Sequence, residues 1–453
     1  MPDFYRTFLR LPRVLVFWLL ALTAAGCASY GEVQNTAIDD SNVTRGYSLT
    51  DWRETHDRGD VTLVLTFSGG GTRAAAMAYG VLEELRDTTF QKNGKSRRIL
   101  DEVDLISSVS GGSFTAAFYG LHGDSMFDFF EDEFLHLDMD TPLTRSLVNP
   151  LHWFTGKGRT ERTIDYYQKN LFHDATYADM IKPGRPLIVI NTSDLAYGVR
   201  FSFIQEYFDF LCSDLTDFPV ARATAASSAV PILFNPVVVR NYDTCGDLVT
   251  AWPEDAAERA RQDPELEMLR KGLKSYADKS QRKYIHFVDG GITDNMGMRA
   301  VYDVISLGGG PHRFFKKERT RAPRHMVLVS VNASTNPVTD MDGTNKQPSI
   351  TESVSAMAGV QLHRYNTATL ELVKNRMDVW AKALSTPDHE VKAHFIQVTF
   401  EDIDEPKLKL FLNKIPTSFK LTDEQVDTLV DTSRKLLREN AVFQKLLSDL
   451  NEQ

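Results

Sequence analysis

The fold is decided by residues 61–73, which read VTLVLTF-SGGG-TR. The first seven form a short apolar, β-branched run that ends at glycines, the pattern of a buried strand. The stretch that follows, Thr72 to Arg86, is Ala-rich and amphipathic, which predicts a helix. Three consecutive glycines at such a turn indicate a backbone that bends sharply or lies close to a ligand. Because their N–H groups stand at a helix N-terminus, the loop is expected to bind a negatively charged group.

A second strand-to-helix turn is predicted in residues 103–112, VDLISSVSGG. It has the form of a nucleophile elbow, in which a strained turn exposes a serine between small residues two positions before and after it. Ser110 would be the exposed serine. Gly112 keeps the second glycine of the motif, whereas Ser108 replaces the first. Ser-Gly clusters are also common in ordinary turns, so this motif does not decide the function by itself.

An aspartate follows a third predicted strand, in residues 288–295, VDGGITDN. The two glycines after Asp289 would present its carboxylate on a tight, accessible loop. Taken alone, an Asp-Gly-Gly loop is also an ordinary turn. Ligands bind at the carboxyl ends of strands in open α/β sheets. We therefore expect the glycine loop, Ser110 and Asp289 to meet at one edge of a sheet.

The remaining pattern predicts one α/β domain followed by helices. Helical patterns lie between most of the apolar runs, which favours parallel strands with helices on both faces of the sheet. We place this domain at residues 59–340 and a mainly helical C-terminal extension, packed on the same domain, at residues 341–453. Further strands are predicted at residues 187–191, 237–240, 285–288, 326–331 and 394–400, and long helices at 349–384 and 422–450.

In this order, the three loops resemble those of the patatin-like phospholipases. Supporting stretches are 191–195 (NTSDL), 223–231 (ATAASSAVP) and 416–419 (PTSF), and the clear resemblance covers roughly residues 60–335. It implies a three-layer α/β/α domain with a mostly parallel central sheet. The implied activity is hydrolysis of fatty acyl esters of membrane lipids, phospholipid or lysophospholipid, with no metal and no other cofactor.

The resemblance also implies roles for individual residues. Ser110 would attack the ester carbonyl, and Asp289 would accept its proton. The backbone N–H groups of Gly69, Gly70 and Gly71 would hold the oxyanion. Arg73 would either brace the glycine loop or contact substrate phosphate. A carboxylate of ordinary pKa, about 4, is a weak base for a serine hydroxyl, so the oxyanion loop should supply much of the acceleration.

The N-terminus predicts export and lipid attachment. Arginines precede residues 14–22, an apolar stretch much shorter than a membrane-spanning helix. Residues 24–27, AAGC, resemble a bacterial lipobox, which implies a signal peptide at 1–26 and acylation of Cys27. A polar tether would follow at 27–58. Ala28 after the cysteine fits the periplasmic face of an outer membrane. The alternative is a plain secretory signal with an incidental cysteine.

The net charge limits the classes of binding partner, and the cysteines allow a disulfide. The formal net charge is -10 and no long basic run occurs, which argues against nucleic acid. Membrane affinity must therefore come from apolar or covalent attachment, because an acidic chain gains little from anionic lipid. Cys212 and Cys245 remain after the lipidated cysteine. In an oxidising compartment they form either a disulfide or a pair of unpaired buried thiols.

Other readings of the same residues lead to different protein classes. Gly69-x-Gly71-x-x-Ala74 also satisfies the dinucleotide fingerprint, but the next strand ends in serines where ribose binding needs an acid. His389-Glu390 is followed by His394, one residue too far for a zinc-binding helical face. An acyltransferase on the same dyad, or a degenerate lipid-binding lipoprotein, remains as an alternative.

Two further features concern access and the identity of the base. The apolar cluster at residues 147–154, with Lys157 and Arg159 after it, is either an interfacial lid or core. Histidines also follow Asp289, so a Ser-Asp-His triad has candidates, of which His312 lies beside a Gly-Gly-Gly-Pro run. That run more simply ends a helix, and we predict a dyad.

Overall fold

The computed structural model describes residues 30–38, 46–55, 59–139, 158–231, 233–245, 256–261, 263–317, 322–336 and 343–451. The predicted signal peptide, Cys27 and the apolar cluster at 147–154 lie outside the described residues. Arg159, named with that cluster, is exposed at the start of a helix. No helix in the described parts of the chain has the length and apolar character needed to cross a membrane.

Twelve strands are described, of which eight form one central sheet. The order in that sheet is β12-β11-β2-β5-β6-β10-β9, and β7 pairs with β6 off this path. The strands are β1 Thr36–Ala37, β2 Val61–Phe67, β3 Thr89–Lys92, β4 Lys95–Arg98, β5 Val103–Val109, β6 Leu187–Asp194, β7 Val199–Ser202, β8 Ser213–Asp214, β9 Val237–Arg240, β10 Tyr284–Asp289, β11 His325–Asn332 and β12 Lys392–Thr399.

Helices cover both faces of this sheet. Those in the described parts of the chain are α1 Leu49–Thr55, α2 Thr72–Asp87, α3 Gly111–His122, α4 Arg159–Asn170, α5 Gln205–Phe208, α6 Val220–Ser227, α7 Ala256–Arg261, α8 Pro264–Ser275, α9 Gly291–Asp294, α10 Met298–Leu307, α11 Gly310–Lys317, α12 Ile350–Leu384, α13 Pro406–Asn413, α14 Asp423–Glu439 and α15 Ala441–Asn451. The predicted helix over 422–450 is divided at Asn440, whose side-chain oxygen caps the second helix by accepting the Val442 N–H.

The side chains of the strands pack into two separate apolar layers. Leu63 and Leu65 of β2 belong to the main core, together with side chains of α2 and α14. Met326 and Leu328 of β11 belong to a second cluster with α10 and α12, which includes Trp380. The predicted three-layer α/β/α architecture with a helical C-terminal region is therefore confirmed.

The sheet is mostly parallel, but not at the strand that carries Asp289. The pairings β12–β11, β11–β2, β2–β5 and β5–β6 are parallel. β10 runs antiparallel to both β6 and β9, and β7 is antiparallel to β6. The predicted mostly parallel sheet is confirmed, and β10 is an exception to it, because a helical pattern between two strands does not fix their relative direction.

Part of the predicted tether packs on the domain. Residues 30–38 lie against the folded body, and β1 pairs with β8. Asn35 donates from Nδ2 to the Arg240 carbonyl at 2.8 Å and accepts the Arg240 N–H at 2.9 Å. The buried Arg222 guanidinium donates to the Glu32 carbonyl at 2.9 Å. This segment belongs to the domain because its polar groups pair with buried groups of the body.

A disulfide joins Cys212 and Cys245, whose Cα atoms are 5.3 Å apart. Both cysteines are buried and pack with Ile38 of the docked N-terminal segment. The Ile38 N–H donates to the Cys212 carbonyl at 2.9 Å. The bridge therefore lies beneath the point where the N-terminal segment joins the body.

We expect the exported, unreduced protein to carry this bridge. Cys245→Ser should lower the free energy of unfolding by roughly 3–4 kcal/mol, because the bridge closes a loop across a sequence separation of 33 residues. Thiol labelling of the denatured, unreduced protein, read by peptide mass spectrometry, should modify neither Cys212 nor Cys245. Cys245→Ser serves as the control that exposes one reactive thiol at Cys212. Two reactive thiols in the unreduced wild type would contradict the bridge.

Candidate active site

The predicted nucleophile occupies a strained turn between β5 and α3. Ser110 has φ 50° and ψ -121°, a backbone conformation that side chains other than glycine rarely adopt. A Cβ added at Gly111 would lie 2.0 Å from the Gly71 carbonyl oxygen. The residue after the nucleophile must therefore be glycine, because the glycine loop rests directly on the elbow.

Strand register brings Asp289 to the level of Ser110. Val109, the last residue of β5, pairs with Asn191 of β6, so Ser110 follows at the level of Thr192. On the other side of β6, Asp289 pairs with Thr192 itself. β10 therefore runs in the direction opposite to that of β5, and its last residue, Asp289, lies at the same level of the sheet as Ser110. The Ser110 hydroxyl lies near enough to the Asp289 carboxylate to lower its pKa.

The environment of Asp289 makes its carboxylate a stronger base than an exposed one. Burial raises the pKa of Asp289 to about 6, against the smaller lowering effects of a backbone hydrogen bond and the Ser110 hydroxyl. The backbone bond comes from the Gly291 N–H, which donates to Oδ1 at 2.7 Å. The assumption of an ordinary carboxyl pKa, made from the sequence, is therefore wrong. Burial against the elbow cannot be read from an Asp-Gly-Gly motif.

A buried network beneath the elbow was not predicted residue by residue. The Ser110 N–H donates to the Ser227 hydroxyl at 2.8 Å, and that hydroxyl donates to the Asn191 carbonyl at 2.6 Å. The Asn191 amide donates to the Ser107 hydroxyl at 2.8 Å. Ser227 and Asn191 lie in the two supporting stretches noted in the sequence, 223–231 and 191–195. Those stretches support the elbow from below.

The glycine loop offers two N–H groups for an oxyanion. The Gly69 N–H donates to the Asn295 carbonyl at 2.9 Å, so the prediction that Gly69 is a third donor has to be withdrawn. The N–H groups of Gly70 and Gly71 have no acceptor among the described residues. Their φ angles are 143° and 61°, which only glycine adopts without strain. Gly70 and Gly71 remain as the candidate oxyanion donors.

Arg73 braces the loop from behind. Its guanidinium donates to the Ala333 carbonyl at 2.8 Å, the Ile415 carbonyl at 2.5 Å and the Thr417 hydroxyl at 3.1 Å. The side chain is buried, and burial lowers the pKa of Arg73 to about 10. Of the two roles left open by the sequence, the bracing role is the one supported by these contacts.

The C-terminal extension closes over the same loop. The Thr72 N–H donates to the Ser418 carbonyl at 2.9 Å. A Cβ added at Gly71 would lie 2.5 Å from that oxygen. The stretch 416–419 is therefore part of the active-site wall. Glycine is required at position 71 both by its φ angle and by this contact.

A sequence model of the patatin-like phospholipases matches residues 65–302, slightly more than half of the chain. The chain belongs to the patatin-like phospholipase family. It is therefore a lipid hydrolase at the level of the family, and the predicted resemblance is confirmed. Among curated proteins, no sequence matches the chain significantly.

Three solved structures are similar to this chain at low sequence identity. Human GIVD cytosolic phospholipase A2 is 12% identical, with a TM-score of 0.42 over 94% of this chain and 70% of that chain. VipD from Legionella pneumophila is 11% identical, with a TM-score of 0.27 over 82% of this chain and 67% of that chain. The type III effector protein ExoU is 12% identical, with a TM-score of 0.24 over 87% of this chain and 78% of that chain.

We expect Arg73→Lys to lower kcat by about 10²-fold for every ester substrate. This is the effect of losing one oxyanion donor. A lysine cannot reach three acceptors at once, so the glycine loop should lose its position regardless of substrate charge. The measurement compares a phospholipid with an uncharged ester. Arg434→Lys, at a partly buried ion pair with Glu83, is the matched control. A loss confined to KM for the phospholipid would instead assign Arg73 to phosphate binding.

Asp289→Asn should be more stable than the wild type at neutral pH. A carboxyl whose pKa is raised to about 6 by folding stabilises the fold fully below about pH 4, and this contribution is lost as pH rises through 6. At pH 7.5 the variant should therefore gain up to about 3 kcal/mol, and the gain should vanish near pH 4. Denaturant unfolding from pH 4 to 8 measures it, with the exposed Asp217→Asn as control. A variant less stable than wild type at pH 7.5 would refute this.

Proposed function

We propose that this protein hydrolyses fatty acyl esters of membrane phospholipid or lysophospholipid through a Ser110/Asp289 dyad. The observation that carries the proposal is the register of the sheet, which ends β5 and β10 on either side of Thr192. The serine and its base thereby face each other from two different strands. Membership in the patatin-like family supports lipid as the substrate class.

In the first half of the reaction, Asp289 accepts the proton of the Ser110 hydroxyl while the oxygen attacks the ester carbonyl. The N–H groups of Gly70 and Gly71 hold the oxyanion that forms. The tetrahedral intermediate then collapses to an acyl-serine, and the protonated Asp289 donates its proton to the departing alcohol. One oxyanion donor of this type is typically worth about 10²–10³ in rate, and general-base assistance about 10²–10⁴.

In the second half, water replaces the alcohol. Asp289 accepts a proton from the water as the water oxygen attacks the acyl carbonyl. The bond between the carbonyl carbon and the Ser110 oxygen then breaks, and Asp289 returns the proton to that oxygen, which releases the fatty acid and the free serine. At neutral pH a carboxyl of pKa about 6 is mostly ionised and closer to the operating pH than an exposed one, which suits a general base. Acyl transfer would differ only in the acceptor, and product analysis separates the two.

We further propose that the protein is a lipoprotein attached through Cys27 to the outer membrane and faces the periplasm. The docked N-terminal segment limits how far the body can move from such an anchor. Gly31 lies against Val238, where an added Cβ would be 2.5 Å from a side-chain carbon. Four residues of extended chain span at most about 14 Å. Because Val238 pairs with His286 of β10, the anchor would hold the edge of the sheet next to Asp289 close to the lipid.

We expect Ser110→Ala and Asp289→Asn each to lower ester hydrolysis at least about 10³-fold, since each removes one half of the dyad. Single replacements of His312, His325 and the later His363, His389 and His394 should leave activity within a few-fold. The kcat/KM profile should fall as pH drops below about 6, where Asp289 becomes protonated.

A histidine base would produce a similar acidic limb, so temperature is the control. The pKa of a carboxyl hardly changes on heating, whereas that of an imidazole falls. A limb that shifts strongly with temperature, together with a folded His312→Ala as inactive as Ser110→Ala, would replace the dyad with a triad.

Lipid attachment is tested separately. Cys27→Ala should block acylation, so that the protein accumulates as an uncleaved precursor or leaves the membrane fraction. Processing and fractionation of whole cells measure this, with Cys245→Ser as the control cysteine replacement. Unchanged processing and membrane fractionation of Cys27→Ala would contradict the anchor without affecting the proposed hydrolysis.

A further inference from the structure

A pair of buried imidazoles lies at the far edge of the sheet from the active site. His325 is the first residue of β11, and His394 belongs to the neighbouring parallel strand β12. His325 Nδ1 and His394 Nε2 are 3.1 Å apart, and both residues are no more than 2% exposed. They stand near the amino ends of these strands, whereas the glycine loop follows the carboxyl end of β2. The pair is therefore separate from the hydrolytic site.

A carboxylate from the last helix completes the cluster. Asp449 of α15 places Oδ2 3.9 Å from His394 Nε2. Its other oxygen, Oδ1, accepts a hydrogen bond from Lys392 Nζ at 2.9 Å. Oδ2 is buried and has no hydrogen-bond partner within the described residues. The three ligand atoms, one from each residue, all lie within 4.8 Å of one another.

Hydrogen bonds between these groups leave one of them unsatisfied. One ring N–H placed between the two nitrogens serves a single lone pair. The Asp449 Oδ2 then remains a buried acceptor without a donor, which is costly. A divalent cation would take a lone pair from all three groups.

We propose that His325, His394 and Asp449 bind a zinc ion. Two neutral imidazoles and one carboxylate are ligands that zinc accepts, with a water in the fourth position. Two nitrogens about 2.0–2.1 Å from a tetrahedral metal lie little more than 3 Å apart, which matches the observed pair. Zinc binding would require the Asp449 side chain to rotate, since its Oδ2 lies 3.9 Å from His394 Nε2. The Lys392 bond to Oδ1 is the kind of outer contact that orients a ligating carboxylate.

The proposed ion would fasten the C-terminal helix to the sheet. His325 and His394 come from two adjacent strands, whereas Asp449 lies near the end of α15. His394 is too far along the chain from His389 for the two to share a zinc-binding helical face. It pairs instead with His325 on the neighbouring strand. The ion would therefore stabilise the fold without taking part in ester hydrolysis.

The test uses the tag-free full chain, treated with a chelator and then titrated with Zn²⁺. We expect about one ion per chain by calorimetry and elemental analysis, with a rise in Tm, because a ligand that binds only the folded state stabilises it. His394→Ala should abolish this binding. Asp449→Asn, which keeps the size of the side chain and an acceptor for Lys392, should weaken it at least about 10-fold, since even the loss of an outer contact to a ligand has an effect of that size.

A matched control is available in a less buried group, Glu131, His136 and Asp427, which also brings three ligand atoms together. His136→Ala should bind zinc as the wild type does. The proposal is overturned if the wild type binds no zinc, if folded Asp449→Asn binds it as tightly as wild type, or if His136→Ala is the variant that loses it. None of these outcomes affects the dyad, which is tested by ester hydrolysis alone.

Discussion

The active site depends on the close packing of two backbone turns. The glycine loop lies so near the nucleophile elbow that a Cβ at Gly111 would be 2.0 Å from the Gly71 carbonyl. This contact fixes the distance between the serine oxygen and the loop N–H groups that would face the oxyanion. It also explains the spacing of glycines in both motifs, because a side chain at either turn would separate them. Catalytic geometry of this kind is set before substrate binds.

The second determinant is the antiparallel strand that carries Asp289. In a parallel arrangement, a strand end would place its residues beyond the sheet edge, beside the loops. Here β10 runs the other way and ends opposite Thr192, so its last residue reaches the serine from within the sheet. At this position Asp289 is buried, and burial raises its pKa.

The C-terminal extension forms part of the candidate active site. The Ser418 carbonyl contacts the glycine loop, and Ile415 and Thr417 bind the Arg73 guanidinium. These contacts join residues more than three hundred positions apart in the chain. The extension therefore contributes to catalysis indirectly, by holding the loop that would stabilise the oxyanion.

Local patterns in the sequence were sufficient to predict the strands that precede the glycine loop and Ser110. The strands Val61–Phe67 and Val103–Val109 were predicted with their observed bounds, because a buried parallel strand bounded by glycine or serine turns has a distinct apolar run. Strand direction at β10 was not predictable, since pairing partners lie far apart in sequence. The hairpin of β3 and β4 was missed, although its turn residues Asn93 and Gly94, both with positive φ, are a known hairpin signal.

Among the site residues, too, those in local motifs were predicted, and those that depend on long-range contacts were not. Ser110 and Asp289 could be named because their motifs are local, and the geometry brings them together. The role of Gly69 was mistaken, because its N–H is taken by the carbonyl of Asn295, a contact between distant loops. The support from Ser227 was visible only as part of a family-like stretch. Burial, register and long-range hydrogen bonds are properties of the folded chain, and these were the features that the sequence did not reveal.

The most direct test of the dyad is to trap the acyl-serine. The full chain is mixed with an activated long-chain ester, quenched with acid in the first turnover, digested and examined by mass spectrometry. The account predicts an acyl group on Ser110 in the wild type, none in Ser110→Ala, and much slower formation in Asp289→Asn. Acylation of a different residue, or undiminished turnover by Ser110→Ala, would contradict it.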